Sequence, residues 1–207
     1  MFRILDMVNE ENSTFQKNPP GITQLLSKSS VGIAGAGGIG SNVATLLTRA
    51  GIGKLVIADF DSVELSNLNR QFYFTDQIGY PKVEALRRNL MLINPEAEIE
   101  IHNRPIDHEN ARGIFASCDI LVEAVDREET KVMLLGSWLE GFPNKQVFSC
   151  SGIAGYGRTD LIRVDRRENL TIVGDQKSDL SLGTLSSRVS IVAAMMANEI
   201  IDYIIQR

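Results

Sequence analysis

The chain has 207 residues, a formal net charge of -5, 43% hydrophobic residues and two cysteines. Such a length supports one sizeable domain with a full core. The acidic balance argues against a broad nucleic-acid or acidic-membrane surface, so neither is expected as a partner. Cys118 and Cys150 lie far apart with no C-x-x-C pair, which excludes a disulfide framework and a four-thiolate zinc site. Residues 1–16 are polar, with Glu10, Glu11 and Asn12 where a signal peptide would be apolar, and the longest apolar run, Ile191 to Ala197, is too short for a bilayer. A cytoplasmic protein is expected.

In chain order, residues 1–30 form an irregular lead-in. Asn18-Pro-Pro-Gly21 is a rigid turning element, and Ile22, Leu25 and Leu26 suit a short helix packed on a sheet. Val31 to Ala34 reads as a short buried strand. At its end Gly35, Gly37 and Gly40 make a G-x-G-x-x-G spacing, and Val43, Ala44, Leu46 and Leu47 recur at helical intervals until Ala50-Gly51. Lys54 to Ala58 is a second buried strand ending at Asp59, so strand, helix and strand fit one βαβ unit of about 30 residues. Phe60 to Tyr80 is polar and aperiodic, long for a βα connection, and such loops tend to carry function. Pro81 starts a helix over Lys82 to Ile93, stopped by Asn94-Pro95.

Ala97 to His102 alternates as a strand, and a helix capped by Asp107 or His108 runs to Ala116. Ile120 to Val125 is a buried strand ending at Asp126, followed by a helix from about Glu129 to Leu139 and a strand at Gln146 to Cys150. Beyond Ser151 the pattern becomes more antiparallel: Arg158 to Val164 and Leu170 to Val173 read as strands joined by a turn, then Gly174 to Thr184 as a polar loop. Leu185 to Ile205 is a long helix, apolar round most of its circumference and so destined for the core or a subunit interface. Residues 1–207 thus read as a single α/β domain. The expected fold is a Rossmann-like, mostly parallel sheet with helices on both faces, extended by antiparallel strands near the C-terminus.

The glycine turn lets a phosphate approach the backbone, and the helix behind it offers unpaired N–H groups and a partial positive charge. Asp59 stands where a carboxylate accepts hydrogen bonds from ribose hydroxyls. These two features suit NAD, FAD or ATP equally. The next loop discriminates among them, because Asn67, Arg70 and Gln71 share one turn region and Lys82 begins a helix. A triphosphate under attack gathers more negative charge than a redox dinucleotide, so nucleotidyl-transfer sites collect Arg, Lys and Mg²⁺. On spacing alone Arg70 and Lys82 are equally well read as solvated surface charges. Asp126 beside phosphates makes sense as a Mg²⁺ ligand; the plainer alternative is a cap for the helix from Glu129.

Together, Gly35-Ala-Gly-Gly-Ile-Gly-Ser41, Asp59-Phe-Asp61, Glu64-Leu-Ser-Asn-Leu-Asn-Arg-Gln71, Gly79-Tyr-Pro-Lys82 and Asp126 resemble the ubiquitin-activating-enzyme superfamily. Within it they resemble the prokaryotic branch that adenylates sulfur-carrier proteins (ThiF, MoeB and HesA types). The short length, the Asn18-Pro-Pro-Gly21 lead-in and Ser151-Gly-Ile-Ala-Gly-Tyr156 are most similar to the compact ThiF type of thiamine biosynthesis.

The resemblance implies that ATP·Mg²⁺ and the C-terminal glycine carboxylate of a small ubiquitin-fold carrier ending in Gly-Gly give an acyl-adenylate and pyrophosphate. It implies a nucleotide site of Gly35, Gly37, Gly38, Gly40, Asp59, Asp61, Asn67, Arg70, Gln71 and Lys82. Asp59 would hold the ribose and Asn67, Arg70 and Lys82 the phosphates, while Gln71 would support the loop. Asp126 would bind Mg²⁺, and Arg70, Lys82 and Asp126 would carry catalysis in a homodimer. The family's paired zinc cysteines are missing, so no zinc is expected. Gly174 to Thr184, where relatives often carry a reactive cysteine, has none, and Cys150 reads as inert core. Lys131 stands where relatives often have Arg. Arg3 alone precedes the glycine turn, which leaves a trans arginine unsupported, and His102 and His108 read as structural. The alternatives are adenylation of a molybdopterin carrier or of a tRNA-borne or peptide carboxylate, and an ATP-binding scaffold without turnover. A nicotinamide oxidoreductase leaves Asn67 to Gln71 and Lys82 unexplained.

Overall fold

The computed structural model describes residues 14–207, apart from the side chain of Leu180. Arg3 and the first part of the lead-in lie outside the described residues. Helix α1 (Ile22–Leu26) precedes β1 (Ser30–Ala34), α2 (Gly38–Ala50), β2 (Lys54–Ala58), α3 (Lys82–Met91), β3 (Glu98–His102) and α4 (Ala111–Phe115). Then come β4 (Ile120–Glu123), α5 (Glu128–Gly141), β5 (Gln146–Cys150), β6 (Arg163–Arg167), β7 (Leu170–Gly174) and α6 (Ser186–Gln206). The seven strands form one sheet in the order β3-β2-β1-β4-β5-β7-β6. The pairings from β3 through β7 are all parallel, and β6 lies antiparallel to β7 at the edge. The strand order turns outward from β1 in both directions, to β2 on one side and β4 on the other. That switch point is where open α/β sheets bind ligands, at the carboxyl ends of the strands.

Strand alternation sorts the core into two layers. Ile33, Ile57, Val122 and Phe148 face α2, α3 and α6 through Val43, Leu47, Leu86, Leu90, Val192 and Met196. Ala34, Val56, Leu121 and Val147 face α4 and α5 through Ile114, Phe115, Leu134 and Trp138. Each fully buried Leu, Ile or Phe contributes about 1.5–3 kcal/mol. Gly32 on β1 makes room for Phe115, whose ring carbon would lie 2.7 Å from a Cβ there.

Several boundaries differ from the sequence expectation. Helix α2 begins at Gly38, so Gly38 and Gly40 belong to its first turn, not to a loop before it. At its far end Gly51, at φ 97°, bonds back to Leu47 O as the stop at Ala50-Gly51 requires. Strand β4 ends at Glu123, which leaves Asp126 in the following loop and not at a strand end. The helix expected from Asp107 or His108 is only Ala111–Phe115, because the Asp107 carboxylate accepts the Glu109 and Asn110 N–H groups in a turn of its own. Arg158 to Val164 is not one strand: Thr159–Leu161 is a 3₁₀ turn, and the strand occupies Arg163–Arg167. Helix α6 is long and apolar enough to cross a membrane by length and composition alone. In the fold its Val189, Val192, Ala193, Met196 and Ile200 are fully buried in the core, with Ser187, Ser190, Ala194 and Asn198 outward. Its apolar excess therefore serves the core.

Candidate active site

At the carboxyl end of β1 the chain must reverse sharply into α2. Gly35 does so at φ 94°, and a Cβ there would lie 2.5 Å from Ala124 O, so the turn packs directly against the loop after β4. A Cβ on Gly40 would lie 1.8 Å from Gly35 O, which makes glycine the condition for seating α2 on the turn. Gly37 has open space, with only the Gln71 amide at 3.9 Å from a Cβ position. The first-turn N–H groups of α2 have no intrahelical acceptors, so their partial positive charge faces this opening.

The loop after β2 is stitched to the turn by polar side chains. Ala36 N–H donates to Asp59 Oδ2 at 2.6 Å, and Asp61 N–H to Asp59 Oδ1 at 2.8 Å. Tyr73 O–H donates to Ala36 O at 2.7 Å, and Phe72 N–H to Ser41 Oγ at 3.0 Å. Asn42 Nδ2 donates to Arg70 O at 2.9 Å and to Gly38 O at 2.6 Å. Burial pushes the Asp59 carboxyl above its ordinary value; the Ala36 and Asp61 N–H donors and the Lys82 ammonium offset only part of that. Further out, Asn89 donates to Phe72 O at 3.0 Å and pairs with the buried Gln77 amide. Ser41, Asn42, Tyr73, Gln77 and Asn89 were not singled out from the sequence as site-forming. Their signal is weak because side-chain-to-backbone bonds carry no periodicity.

The cations sit on that scaffold. Arg70 lays its stem over Gly38, with Cγ 3.6 Å from a Cβ position there, and donates to Ser66 O at 3.1 Å and Asn69 Oδ1 at 2.7 Å. No carboxylate among the described residues pairs with it. Lys82, buried in the first turn of α3, forms an ion pair with Asp61 at 2.7 Å. Asn67 closes the Leu65–Asn67 turn, its Oδ1 accepting Glu64 N–H at 3.0 Å. Gln71 is 9% exposed, and its Oε1 is buried without a partner. The structure thus groups the glycine turn, Asp59, Asp61, Asn67, Arg70, Gln71 and Lys82 around the carboxyl ends of β1 and β2.

Asp126 is exposed, in the loop whose Ala124 and Val125 back onto Gly35. It makes no hydrogen bond to any described residue, and no group of three or more metal-ligating side chains occurs among them. Mg²⁺ is held by one or two carboxylates together with phosphate oxygens and water. A single free carboxylate in the loop that backs onto the glycine turn could hold such an ion if it arrived with a nucleotide. Below this loop lies a cluster of which the sequence reading singled out only Lys131. Glu123 is fully buried, ion-paired with Lys131, and accepts Ser149 O–H at 2.6 Å and Val125 N–H at 3.0 Å.

The far wall comes from the C-terminal third. Val189 of α6 lies 3.2 Å from a Gly38 Cβ position, and Asn69 Nδ2 donates to Thr184 O at 3.2 Å. Behind it Arg188 is ion-paired with Asp175 and donates to Gly157 O at 2.7 Å, tying together the loops after β5 and β7. Burial raises the Asp175 carboxyl, but the Ser178 and Lys177 N–H groups and the Arg188 guanidinium outweigh it and hold the group below the usual range. Both cysteines are buried, and burial pushes the Cys118 and Cys150 thiols up to about 12 and about 11, away from the reactive thiolate. His102 is 2.9 Å from Glu100 on β3.

The ThiF family profile matches residues 10–207. Ubiquitin-like modifier-activating enzyme 5 of Caenorhabditis elegans is 50% identical over 78 residues, covering 38% of this chain and 19% of that protein. Its counterpart in Drosophila ananassae is 40% identical over 116 residues, covering 50% of this chain and 29% of that protein. The chain therefore spans less than a third of the length of these curated relatives. The fold superposes on E. coli tRNA N6-threonylcarbamoyladenosine dehydratase, TcdA, in complex with AMP, with a TM-score of 0.84 at 18% identity over 93% of both chains. It superposes on E. coli MccB with ATP with a TM-score of 0.72 at 21% identity, over 93% of this chain and 63% of that one. Such identities speak for a shared fold, and it is the profile match across the glycine turn, the Asn67–Gln71 loop and the Asp126 loop that decides kinship: the chain belongs to the ThiF family.

Proposed function

We propose that the chain adenylates the C-terminal glycine carboxylate of a small ubiquitin-fold sulfur carrier, consuming ATP and releasing pyrophosphate. The observation that carries this reading is Arg70: its stem lies over Gly38 in the N-terminal turn of α2, and its guanidinium, held by Ser66 O and Asn69 Oδ1, has no carboxylate partner among the described residues. A pyrophosphate-bridged redox cofactor has little use for such a cation, whereas nucleotidyl transfer develops charge there.

In this reading the α2 N-terminus receives the phosphates and Asp59 keeps an acceptor lone pair for a ribose hydroxyl. Arg70 and Asn67 line the phosphate side. Lys82 has three donors, so it can hold Asp61 and still donate to a phosphate oxygen. Asp126 would hold Mg²⁺, which when bound neutralises phosphate charge. The nucleophile is an ionised carboxylate and needs no general base. Its oxygen bonds to the α-phosphorus as the bond to the bridging oxygen breaks, and the electron pair leaves on pyrophosphate. This chain's contribution is alignment and charge neutralisation. The carrier's thin Gly-Gly tail would reach the site past the loops that Arg188 ties together.

The thiamine-pathway carrier is the first substrate of this reading, and a homodimer is its expected assembly. A second reading, activation of a tRNA-borne carboxylate, is favoured by the superposition on TcdA over 93% of both chains; the net charge of -5 weighs against it. Incubation with ATP, Mg²⁺ and a Gly-Gly-ended carrier, followed by intact-mass analysis, separates the two. A carrier gaining one adenylyl group supports the proposal. Pyrophosphate release with tRNA but with no carrier would contradict it.

A further inference from the structure

The mechanism above leaves unused the fully buried Glu123 and its part-buried ion-pair partner Lys131. Glu123 closes β4 with no exposed surface, and a carboxylate taken wholly out of water costs several kcal/mol unless donors surround it. Its donors come from three separate pieces of chain. Ser149 O–H at 2.6 Å belongs to β5, the Lys131 ammonium to the first turns of α5, and Val125 N–H at 3.0 Å to the loop carrying Asp126. Lys131 also donates to Cys150 O at 3.3 Å, so it grips the end of β5 as well. A buried ion pair contributes little net stability compared with well-packed apolar residues. What it supplies is a fixed geometry, and here the geometry fixed is that of a loop. Ala124 to Arg127 is braced from below by Glu123 and continued into α5, which Lys131 pins, while its backbone backs onto Gly35. Asp126, at the exposed tip, has no bond of its own among the described residues to hold it.

We infer that Glu123 and Lys131 are positioning residues for Asp126, setting where its carboxylate stands relative to the glycine turn and so how well a nucleotide-borne divalent cation is held. The inference rests on the proposed nucleotide site and adds residues to it that touch neither nucleotide nor metal. Partners bonded directly to a metal ligand change metal affinity about 10- to 100-fold when removed; Glu123 acts one bond further back, through the Val125 N–H, so the lower end of that range is expected.

The test is a double-mutant cycle read by Mn²⁺ binding, with electron paramagnetic resonance reporting free Mn²⁺ in the presence of α,β-methylene-ATP, so that no turnover is involved. Nucleotide binding in EDTA and a thermal melt are recorded for each protein. Glu123→Gln should weaken Mn²⁺ binding about tenfold while binding in EDTA stays at the wild-type value. Asp126→Ala should weaken it at least as much, and Glu123→Gln should add nothing in the Asp126→Ala background. Glu123→Gln/Lys131→Met, which removes the buried charges together and keeps the packing, guards against loss of fold and should show the same Mn²⁺ defect. Lys131→Arg should retain most of the affinity. If Asp126→Ala weakens Mn²⁺ binding but Glu123→Gln does not, or if the two losses add, the positioning inference is overturned and the site reading stands. If Asp126→Ala has no effect, the metal assignment fails and the inference fails with it.

Discussion

In the proposed reaction Arg70 is the residue on which the chemistry turns. Among the described residues its guanidinium bonds only to Ser66 O and Asn69 Oδ1 and has no counter-ion. Arg70→Ala should lower adenylation by about a hundredfold or more, roughly 3 kcal/mol of transition-state stabilisation, with little change in melting temperature; steady-state pyrophosphate release checks this. Asp59 makes a pH prediction. Burial raises its carboxyl, so it takes up a proton above the ordinary value of about 3.9. Protonation removes the negative acceptor for a ribose hydroxyl, so nucleotide affinity should fall as pH is lowered through that raised value. Asp59→Asn should bind weakly and without this pH dependence. A flat wild-type profile in equilibrium binding would contradict the role.

At the scale of elements, the site depends on two fits: α2 against the turn, and the loop after β2 against α2. Gly40→Ala places a Cβ 1.8 Å from Gly35 O, a clash at or beyond the ~3 kcal/mol of ordinary overpacking. Gly136→Ala, in an exposed turn of α5 with nothing within 4 Å, should instead stabilise by about 0.5–1 kcal/mol. Chemical denaturation of the two variants reads both signs. Tyr73→Phe leaves the buried Ala36 O without its donor, a loss of about 1–1.5 kcal/mol.

These elements also show where the sequence was legible. Val31 to Ala34 and Lys54 to Ala58 announce themselves because buried parallel strands are continuous apolar runs, and the glycine spacing marks the turn between them. The Phe60–Tyr80 loop declares its polarity but not its shape, since Tyr73, Ser41 and Asn42 fix it through single bonds to backbone oxygens and N–H groups. Asp126 was read as a strand end because Ala124 and Val125 are apolar. They are apolar to pack against Gly35, beyond the last strand residue. Glu123 inside a hydrophobic run was passed over because its partners, Lys131 and Ser149, come together only in three dimensions.

For the whole molecule, the last third of the chain packs against the βαβ unit at the glycine turn, through Val189 and Thr184. Arg188 of α6 joins the loops after β5 and β7, through its bond to Gly157 O and its buried ion pair with Asp175. The Asp175 carboxyl lies below its usual range, so its stabilisation is complete above the unfolded value of about 3.9 and is lost as pH falls through the lower folded value. Asp175→Asn leaves Arg188 buried and unpaired and should cost about 3–5 kcal/mol at pH 7. The gap from wild type should narrow below about pH 4; urea titrations at several pH values measure it.

The measurement that tests the central claim most directly is ATP–pyrophosphate exchange with Mg²⁺ and a carrier ending in Gly-Gly, run beside a tail-deleted carrier and Arg70→Ala. Exchange that requires the intact tail and collapses in the variant is the predicted result. Measurable ATP binding with no exchange, whatever Gly-Gly carrier is supplied, would contradict adenylation of that substrate class.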